Sequence, residues 1–430
     1  MKLRGTTRRI SGRFRWERTR NFVWGFVSQG SSSLTNLALS VVAARQLGPS
    51  GLGSVFVGFT YYLLALGFQR ALVNEPLVAG TSAIDMVERK LATKCALTVS
   101  MIWAIGTGLL LVVIGLAFQQ SMGTGLLAFA PWIIPALIQD LWRAVLFRDG
   151  RGSAGALNDA VWLAAMGCTL PIALTTRSTW LVVSWWGFGA LAGMAVGIIQ
   201  NRISPRSPAT ALGWWWRNSW PLAKWLAAGG IVYMLGPLLL VFLLAIVLGT
   251  RPLGGLRAVQ SLFAPLSLLA PAIALPGLPA LSRRAARSLH EARALAVQLA
   301  MVLPVVTAAY VAIASLGNGQ LLSLVFGESF NGYTALIVPV GVGQILLAAT
   351  ISFNLLLKAE NRGRSLFVGG AVSSVSMLIL GLGLGAAYGV VGAAWGTTLG
   401  SAAGSIVLVA YALKIPARPL GPEPGRASIA

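Results

Sequence analysis

Long, uninterrupted apolar stretches recur along the whole of this 430-residue chain. A window of about 19 residues finds twelve, each long enough to cross a bilayer core of roughly 30 Å as a helix. Barrel strands would be about half as long and would alternate in character, so we expect helices. The predicted spans are Phe22–Ala44, Leu52–Val73, Leu91–Phe118, Gly125–Phe147, Leu157–Thr176, Thr179–Ile199, Pro221–Gly249, Leu253–Leu281, Ala294–Leu316, Tyr333–Leu357, Ser365–Ala387 and Val390–Leu413. We therefore predict an all-α polytopic membrane protein with about twelve transmembrane helices.

The composition supports this class and excludes several kinds of site. Hydrophobic residues make up 56% of the chain and charged residues only 10%, too few for the surface of a soluble protein of this length. Two cysteines, Cys95 and Cys168, and one histidine, His290, provide neither a disulfide framework nor a zinc site. We predict no catalytic residues, no metal and no cofactor.

Lysine and arginine are distributed unequally between the two sides of the predicted membrane. With the N-terminus inside, 29 of the 33 basic residues lie in inside segments, and only Arg45, Arg177, Arg251 and Arg257 lie outside. This bias predicts that both termini are cytoplasmic. The net charge of +22 then reflects topology and attraction to anionic lipid. A nucleic-acid partner is not expected, because the charges sit in short clusters between apolar runs.

The connections between spans suggest two halves. LGPSGLG (Leu47–Gly53) follows the first span and LGTRPLG (Leu248–Gly254) follows the seventh, so the pattern L-G-x-x-x-L-G occurs at equivalent places. Parallel repeats of this kind are one arrangement that transporters use around a central site. The predicted division is a basic cytoplasmic tail (1–21), an N-terminal six-helix lobe (22–199), a cytoplasmic interfacial linker (200–220), a C-terminal six-helix lobe (221–413) and a cytoplasmic tail (414–430).

Several segments together resemble the bacterial polysaccharide flippases. These exporters of lipid-linked oligosaccharides form one family of the multidrug/oligosaccharidyl-lipid/polysaccharide exporter superfamily. The segments that carry the resemblance are Ala43–Phe59 (AARQLGPSGLGSVFVGF), Gln139–Arg151 (QDLWRAVLFRDGR), Leu157–Trp162 (LNDAVW), Leu256–Leu266 (LRAVQSLFAPL) and Tyr388–Thr397 (YGVVGAAWGT).

The resemblance implies two helical lobes around a central cleft lined by spans one, two, seven and eight. It also implies a bacterial inner-membrane protein that moves an undecaprenyl-diphosphate-linked glycan to the outer leaflet by alternating access. Its partners would be this substrate, membrane lipids and glycan-assembly enzymes. The same superfamily fold also serves cation-coupled drug exporters, so fold alone does not choose between these activities.

A diphosphate that crosses hydrocarbon needs fixed cations, and arginine binds phosphate oxygens bidentately while staying charged. Arg257 is the first candidate, because it lies about one turn inside the eighth span with Gln260 on the same face. The alternative interpretation is an arginine that reaches the outer headgroups from a helix end. Arg45 is the second outside candidate, and its alternative role is to cap the C-terminal end of the first span.

On the inner side, Arg70 and Lys224 are candidates to receive the diphosphate, although both could instead be ordinary positive-inside residues. In span one, Gln29 and Asn36 belong to a polar stripe that continues through Ser33 and Ser40. Such a stripe either lines a wet cleft or bonds to a neighbouring helix. Asp140 and Arg143 are three residues apart in span four and are expected to pair as a structural tie.

Two other functions are compatible with the sequence. A cation-coupled drug or small-molecule exporter of the same fold would need a carboxylate deep in the bilayer, and spans one, two, seven and eight contain none. A non-transporting membrane scaffold for glycan-assembly enzymes would use the basic cytoplasmic face. An enzyme is disfavoured, because the outside loops contain only one acidic residue, Glu328. Transport of an anionic, lipid-linked substrate fits the basic cleft best.

Overall fold

The structure is a computed structural model. It describes residues 4–81, 85–119, 122–268, 281, 284–285, 287–316, 320–360 and 362–414, without the side chains of residues 4–22, 229–234 and 267–268. Most of the predicted C-terminal tail and the second half of the predicted eighth span lie outside the described residues. We call the end of the bundle that the charge bias predicts to face the cytoplasm the inner end, and the opposite end the outer end.

Every regular element in the described ranges is helical, and this confirms the predicted all-α polytopic class. The α-helices are α1 Arg4–Gln69, α2 Glu75–Thr81, α3 Met86–Ala117, α4 Gly123–Phe129, α5 Ile133–Arg148, α6 Gly152–Thr175, α7 Thr179–Asn201, α8 Pro208–Asn218, α9 Trp220–Leu248, α10 Thr250–Leu262, α11 Leu289–Leu316, α12 Gln320–Phe326, α13 Ile337–Ala359 and α14 Gly363–Leu413. A π-helical turn, Arg70–Asn74, joins α1 to α2. Short 3-10 segments are Ala130–Trp132, Ala264–Leu268 and Glu328–Leu336.

Eight helices of the described chain are long and apolar enough to cross a membrane. Two of them, Val23–Thr81 and Gly363–Leu413, are bent and contain two predicted spans each. The predicted seventh and eighth spans correspond to α9 and to the segment that begins with α10. Large apolar side chains that remain exposed form lipid-facing stripes; on α3 they include Ile105, Leu109 and Val113, one turn apart.

The two L-G-x-x-x-L-G segments have the same backbone shape. Gly48 has φ 67° and ψ −171°, and Gly249 has φ 81° and ψ 174°. This region of backbone space is essentially restricted to glycine, because a Cβ atom makes it strained. Each glycine ends one helix and lets the next begin at once, so the chain reverses at the outer end without a loop. The equivalent conformations agree with the repeat inferred from the sequence.

The helices pack in two groups that meet along α1. Helices α1 to α7 pack against one another, whereas α9 to α14 form the second group: α9, α11, α13 and α14 pack on one another, and α10 and α12 join them through the 3-10 segment Glu328–Leu336. Helix α10 packs mainly against α1, and α9 packs against both α1 and the π-helical turn. Residues Leu52–Tyr62 of α1 are all buried, so this part of α1 is the central element of the bundle.

The predicted interfacial linker contains α8, which packs against α3. The Trp215 indole Nε1 donates a hydrogen bond to the Leu72 carbonyl oxygen at 3.0 Å, so the linker is tied to the π-helical turn. Trp216 and Trp220 stack with ring centroids 4.9 Å apart. Trp216 is exposed and Trp220 is half-buried, which fits the headgroup layer that the sequence predicts for this segment.

Candidate functional site

The bends of the two L-G-x-x-x-L-G segments are in direct contact at the outer end. A Cβ atom on Gly53 would lie 1.7 Å from the Thr250 carbonyl oxygen, and one on Gly254 would lie 1.7 Å from the Pro49 carbonyl oxygen. Gly53 and Gly254 are equivalent positions of the two segments, as are Pro49 and Thr250. The backbones therefore touch reciprocally, at a distance that only glycine allows. We call this contact the outer closure.

Arg45 adds a polar link to the outer closure. Its Nε donates a hydrogen bond to the Val325 carbonyl oxygen at 2.9 Å, and its Nη2 donates to the Leu324 carbonyl oxygen. Both acceptors lie in the last turn of α12, where carbonyl groups have no partner within the helix and attract cations. Arg45 thus caps a helix of the second group, whereas the sequence suggested a cap on its own span.

Arg257 lies on α10 and faces the part of α1 that follows the bend at Gly48. Its guanidinium carbon lies 5.0 Å from the ring centroid of Phe56 and 5.3 Å from that of Phe59. These are cation–π distances. Among the described residues, the Arg257 guanidinium has neither a carboxylate nor a hydrogen-bond acceptor as partner. Its charge is stabilised by two aromatic faces and remains available to an anion.

The aromatic support of Arg257 is rigid. Phe59 is buried and contacts Tyr62, Phe129 and Trp186, with ring centroids 5.7 Å, 6.2 Å and 6.2 Å away. These rings belong to α1, α4 and α7 and are packed in the core. Because Phe59 cannot move without disturbing three neighbours, it fixes the guanidinium on one side.

Polar groups accompany Arg257 on α10 and on span one. Gln260 is half-buried, and its side chain has no hydrogen-bond partner among the described residues. On span one, Gln29 is exposed and Asn36 is half-buried. In the part of the chain that the structure describes, neither side chain bonds to a neighbouring helix. The interhelical alternative for this stripe therefore has no support in the described contacts.

Arg70 lies in a different setting, at the inner end. Its Nε and Nη2 donate to Asp140 Oδ2 and Oδ1 at 3.0 Å and 2.7 Å, a bidentate ion pair between span two and span four. Asn74 Nδ2 donates to Asp140 Oδ2 at 2.9 Å, and Arg143 also binds this carboxylate. The predicted Asp140–Arg143 pair is confirmed, and Asp140 additionally holds Arg70.

A second carboxylate extends this network. Asp159 accepts hydrogen bonds from Ser28 and, at 2.6 Å, from Gln139 Nε2, and it lies 3.8 Å from Arg143 Nη1. Asn158 bridges Gln139 and the Gly193 carbonyl oxygen at 2.8 Å and 2.7 Å. The network links spans one, two, four, five and six, and in it two arginines balance two aspartates.

Lys224 lies apart from these groups. It is exposed near the start of α9, with its Nζ atom 5.5 Å from the ring centroid of Trp225. The structure thus places the candidate residues in five environments: Arg257 and Gln260 on α10, Gln29 and Asn36 on span one, Arg45 against α12, Arg70 in the inner network, and Lys224 near the start of α9. The structure brings Arg257 together with Phe56 and Phe59, two residues that were not predicted as part of the site.

The partners of Arg70 were not predicted from the sequence. Asp140 lies 70 residues away, and only tertiary packing brings the two side chains together. A usable signal was present, because ionisable residues inside membranes are usually paired, and Arg70 and Asp140 both lie toward the inner ends of their spans. No comparable signal points to Asn74 or Ser28.

Comparisons with known proteins support the fold. No protein-family model matches the chain, and no curated protein matches it. The lipid II flippase MurJ, in its inward closed conformation, superposes with a TM-score of 0.69 at 11% identity, covering 92% of this chain and 88% of MurJ. An inward-facing multidrug resistance transporter of the MATE family gives 0.69 at 14% identity, covering 89% and 93%. A MOP superfamily transporter from Pyrococcus furiosus gives 0.59 at 14% identity, covering 92% and 94%.

The chain has the fold of the MOP superfamily transporters. This is the fold that the resemblance of the sequence segments implies, and it extends over nearly the whole length of the chain. The MOP fold is shared here by a lipid flippase and by a multidrug transporter with equal TM-scores. The fold therefore leaves the choice of substrate to the chemistry of the site.

Proposed function

We propose that this protein is a flippase that translocates a polyprenyl-diphosphate-linked oligosaccharide from the inner to the outer leaflet, for cell-surface polysaccharide assembly. It would act in the bacterial inner membrane with both termini in the cytoplasm, without catalysing a reaction. The flippase MurJ and the sequence segments quoted above support this choice within the superfamily.

The observation that carries the proposal is the state of Arg257. The Arg257 guanidinium lies over the rings of Phe56 and Phe59 and forms no ion pair with a carboxylate of the described residues, so its charge attracts an anion. A cationic drug would be repelled by the same group. The side-chain amides of Gln260, Gln29 and Asn36 have no hydrogen-bond partner among the described residues. They can donate hydrogen bonds to the hydroxyl groups of a glycan and accept hydrogen bonds from them.

The packing of the two groups supports alternating access. The outer closure joins them through Gly53 and Gly254, and α9 contacts the π-helical turn nearer the inner end. Transport would require the outer closure to separate, releasing Arg45 from α12. Arg45 would then be free to meet the diphosphate on the outer side, as Arg70 and Lys224 would on the inner side.

The test is leaflet-specific labelling of a lipid-linked oligosaccharide in vesicles that contain the purified protein. We expect Arg257→Ala to lower the transfer rate about tenfold or more, because hydrogen bonds to charged groups contribute about 1.5–3 kcal/mol. Arg257→Lys retains the charge but lacks the planar fork, so we expect an intermediate rate.

Arg177→Ala is the matched control, because it removes the same charge from an exposed outside loop. It should transfer the lipid at the native rate. Equal rates for Arg257→Ala and the native protein would remove Arg257 from the site, and absence of transfer by the native protein would refute the flippase proposal.

The second candidate function is a cation-coupled exporter of the same fold. The equal TM-score of the MATE transporter and the buried carboxylates Asp140 and Asp159 favour it. Both carboxylates contact arginines, which lowers their attraction for another cation. Gradient-driven efflux of a cationic dye from the same vesicles, lost in Asp159→Asn, would support this candidate over the flippase. If the protein is active in neither the lipid-transfer assay nor the efflux assay, the scaffold role is the function that is left.

A further inference from the structure

A cavity of about 420 Å³ adjoins the ion pair between Arg70 and Asp140. This volume is in the range of about 300–1,000 Å³ that is usual for small-molecule sites. Arg70, Asn74, Asp140 and Arg143 form its polar lining, and Phe147 is part of its apolar wall. Both guanidinium groups of the inner network therefore border one space.

The two members of the ion pair differ in the exposure of their side chains. The Arg70 side chain is 42% exposed, whereas that of Asp140 is only 4% exposed. Arg70 uses Nε and Nη2 for Asp140, and its Nη1 has no partner among the described residues. The guanidinium thus offers the cavity a free donor even while it is paired.

Asp140 does not depend on Arg70 alone. Its oxygens also receive Asn74 Nδ2 and the Arg143 guanidinium. If Arg70 turned away, the buried carboxylate would keep one cation and one amide donor, and so would avoid the full cost of an unpaired buried charge. Arg70, in contrast, would be an uncompensated cation inside the membrane unless another anion took the place of Asp140.

We propose that this cavity is a phosphate-binding site in which Asp140 is the built-in competitor of the ligand. A phosphate or diphosphate group entering the cavity takes the Nε–Nη2 edge of Arg70 in place of the carboxylate, because the guanidinium fork matches both groups. Asp140 neutralises Arg70 while the cavity is empty, and it weakens binding enough to permit release. The inference rests on the proposed function and adds to its inner binding step the competition between Asp140 and the ligand.

Glu75 also lines the cavity and opposes an anion there. It is exposed to solvent, where water screens its charge, whereas Arg143 is only 16% exposed. The least screened charges at this cavity are therefore those of Arg143 and Asp140. Removing the charge of Asp140 leaves both arginines to the ligand.

The test is isothermal titration of inorganic pyrophosphate into the purified full-length protein in detergent. We expect weak binding by the native protein and binding about tenfold tighter or more in Asp140→Asn, since a hydrogen-bonded charge is worth about 1.5–3 kcal/mol. Arg70→Gln should abolish binding, and the double variant Arg70→Gln/Asp140→Asn should not regain it. Asp140→Ser is a second uncharged variant in case Asp140→Asn does not fold.

Asp149→Asn is the matched control, because Asp149 lies at the inner end of the same helix and pairs with Arg148 at 2.9 Å instead of Arg70. It should bind pyrophosphate as the native protein does. Equal tightening by Asp149→Asn would indicate a general effect of net charge and would overturn the inference, as would unchanged affinity in Asp140→Asn.

Two further arms separate the possible sources of the phosphate and the two proposals. A short-chain phosphatidic acid as titrant tests a lipid-borne monophosphate: tighter binding than pyrophosphate would assign the cavity to bulk lipid and overturn a role for a diphosphate substrate. If pyrophosphate binds as expected but vesicles transfer no lipid-linked oligosaccharide, the flippase proposal fails and the site stands. If Arg257-dependent transfer occurs without tighter binding in Asp140→Asn, only this inference fails.

Discussion

Three arginines on or beside α1 have their charge stabilised in three different ways. Arg257 lies over two aromatic faces, Arg70 is paired with a carboxylate, and Arg45 caps the last turn of a helix. Of these three interactions, the cation–π contact leaves the guanidinium most available for other partners, because it does not use the N–H groups. At the scale of single residues, Arg257 is therefore the cation most available to a ligand, and Phe56 and Phe59 determine where it stands.

Phe56→Leu tests the aromatic contact. Phe56 is buried and makes no ring–ring contact among the described residues, so its loss mainly removes a cation–π interaction of about 0.5–2 kcal/mol. We expect the half-saturating concentration of the lipid substrate in vesicle transport to rise, whereas Phe56→Tyr, which retains the ring face, should behave like the native protein. An equal rise in both variants would mean that packing, and not the ring face, matters at this position.

At the scale of elements, the bends at Gly48 and Gly249 replace two loops. They let α1 and α9–α10 reverse direction within one residue, which brings Pro49 and Thr250 close to the glycines of the opposite segment. The close approach of the two backbones at the outer closure therefore depends on backbone conformations that only glycine adopts without strain.

Gly249→Ala isolates this conformational requirement. A Cβ atom at this position would have no neighbour within 4 Å, so any effect comes from the backbone and not from a clash. We expect the free energy of unfolding to fall by about 1–3 kcal/mol, measured by thermal unfolding in detergent. Gly80→Ala is the control, since Gly80 is helical and equally unobstructed. It should be neutral or stabilising by up to about 1 kcal/mol. Equal effects in the two variants would contradict the requirement.

The spans could be predicted because crossing a bilayer imposes a length and a composition on each helix. Span boundaries such as Thr179–Ile199 differ from α7 by two residues, and the bends at Leu47–Gly53 and Leu248–Gly254 follow from glycine chemistry. The candidate site was predicted less completely. Arg257 could be singled out as a cation against the charge bias, but Phe56 and Phe59 are indistinguishable in sequence from lipid-facing residues. The pairing of Arg70 with Asp140 depends on how spans two and four pack.

At the scale of the whole molecule, the outer closure and the Arg45 contact join the two groups of helices on one side of the membrane. A protein that exposes its substrate to each side in turn must break such contacts once per cycle. The hydroxyl oxygens of Ser50 and Thr250 lie 3.3 Å apart across this boundary. They provide a place to join the groups covalently.

The double variant Ser50→Cys/Thr250→Cys, with the exposed Cys168 replaced by serine, should form a disulfide on oxidation. We expect lipid transfer in vesicles to stop when the protein is oxidised and to return after reduction, because the outer closure can no longer open. The two single-cysteine variants should be insensitive to the oxidant. Full activity of the cross-linked protein, verified by electrophoretic mobility, would show that transport does not require this boundary to open.

Gly53 rests on Thr250, the third residue of the opposite segment, and Gly254 rests on Pro49, the third residue of the first segment. Such an interface has the form of an isologous contact: each side presents the same backbone positions and receives the same positions, although the side chains differ. One six-helix unit that carried a single copy of this segment could present the same backbone positions to an identical molecule. The contact between the halves thus has the two-fold form of a contact between the subunits of a homodimer.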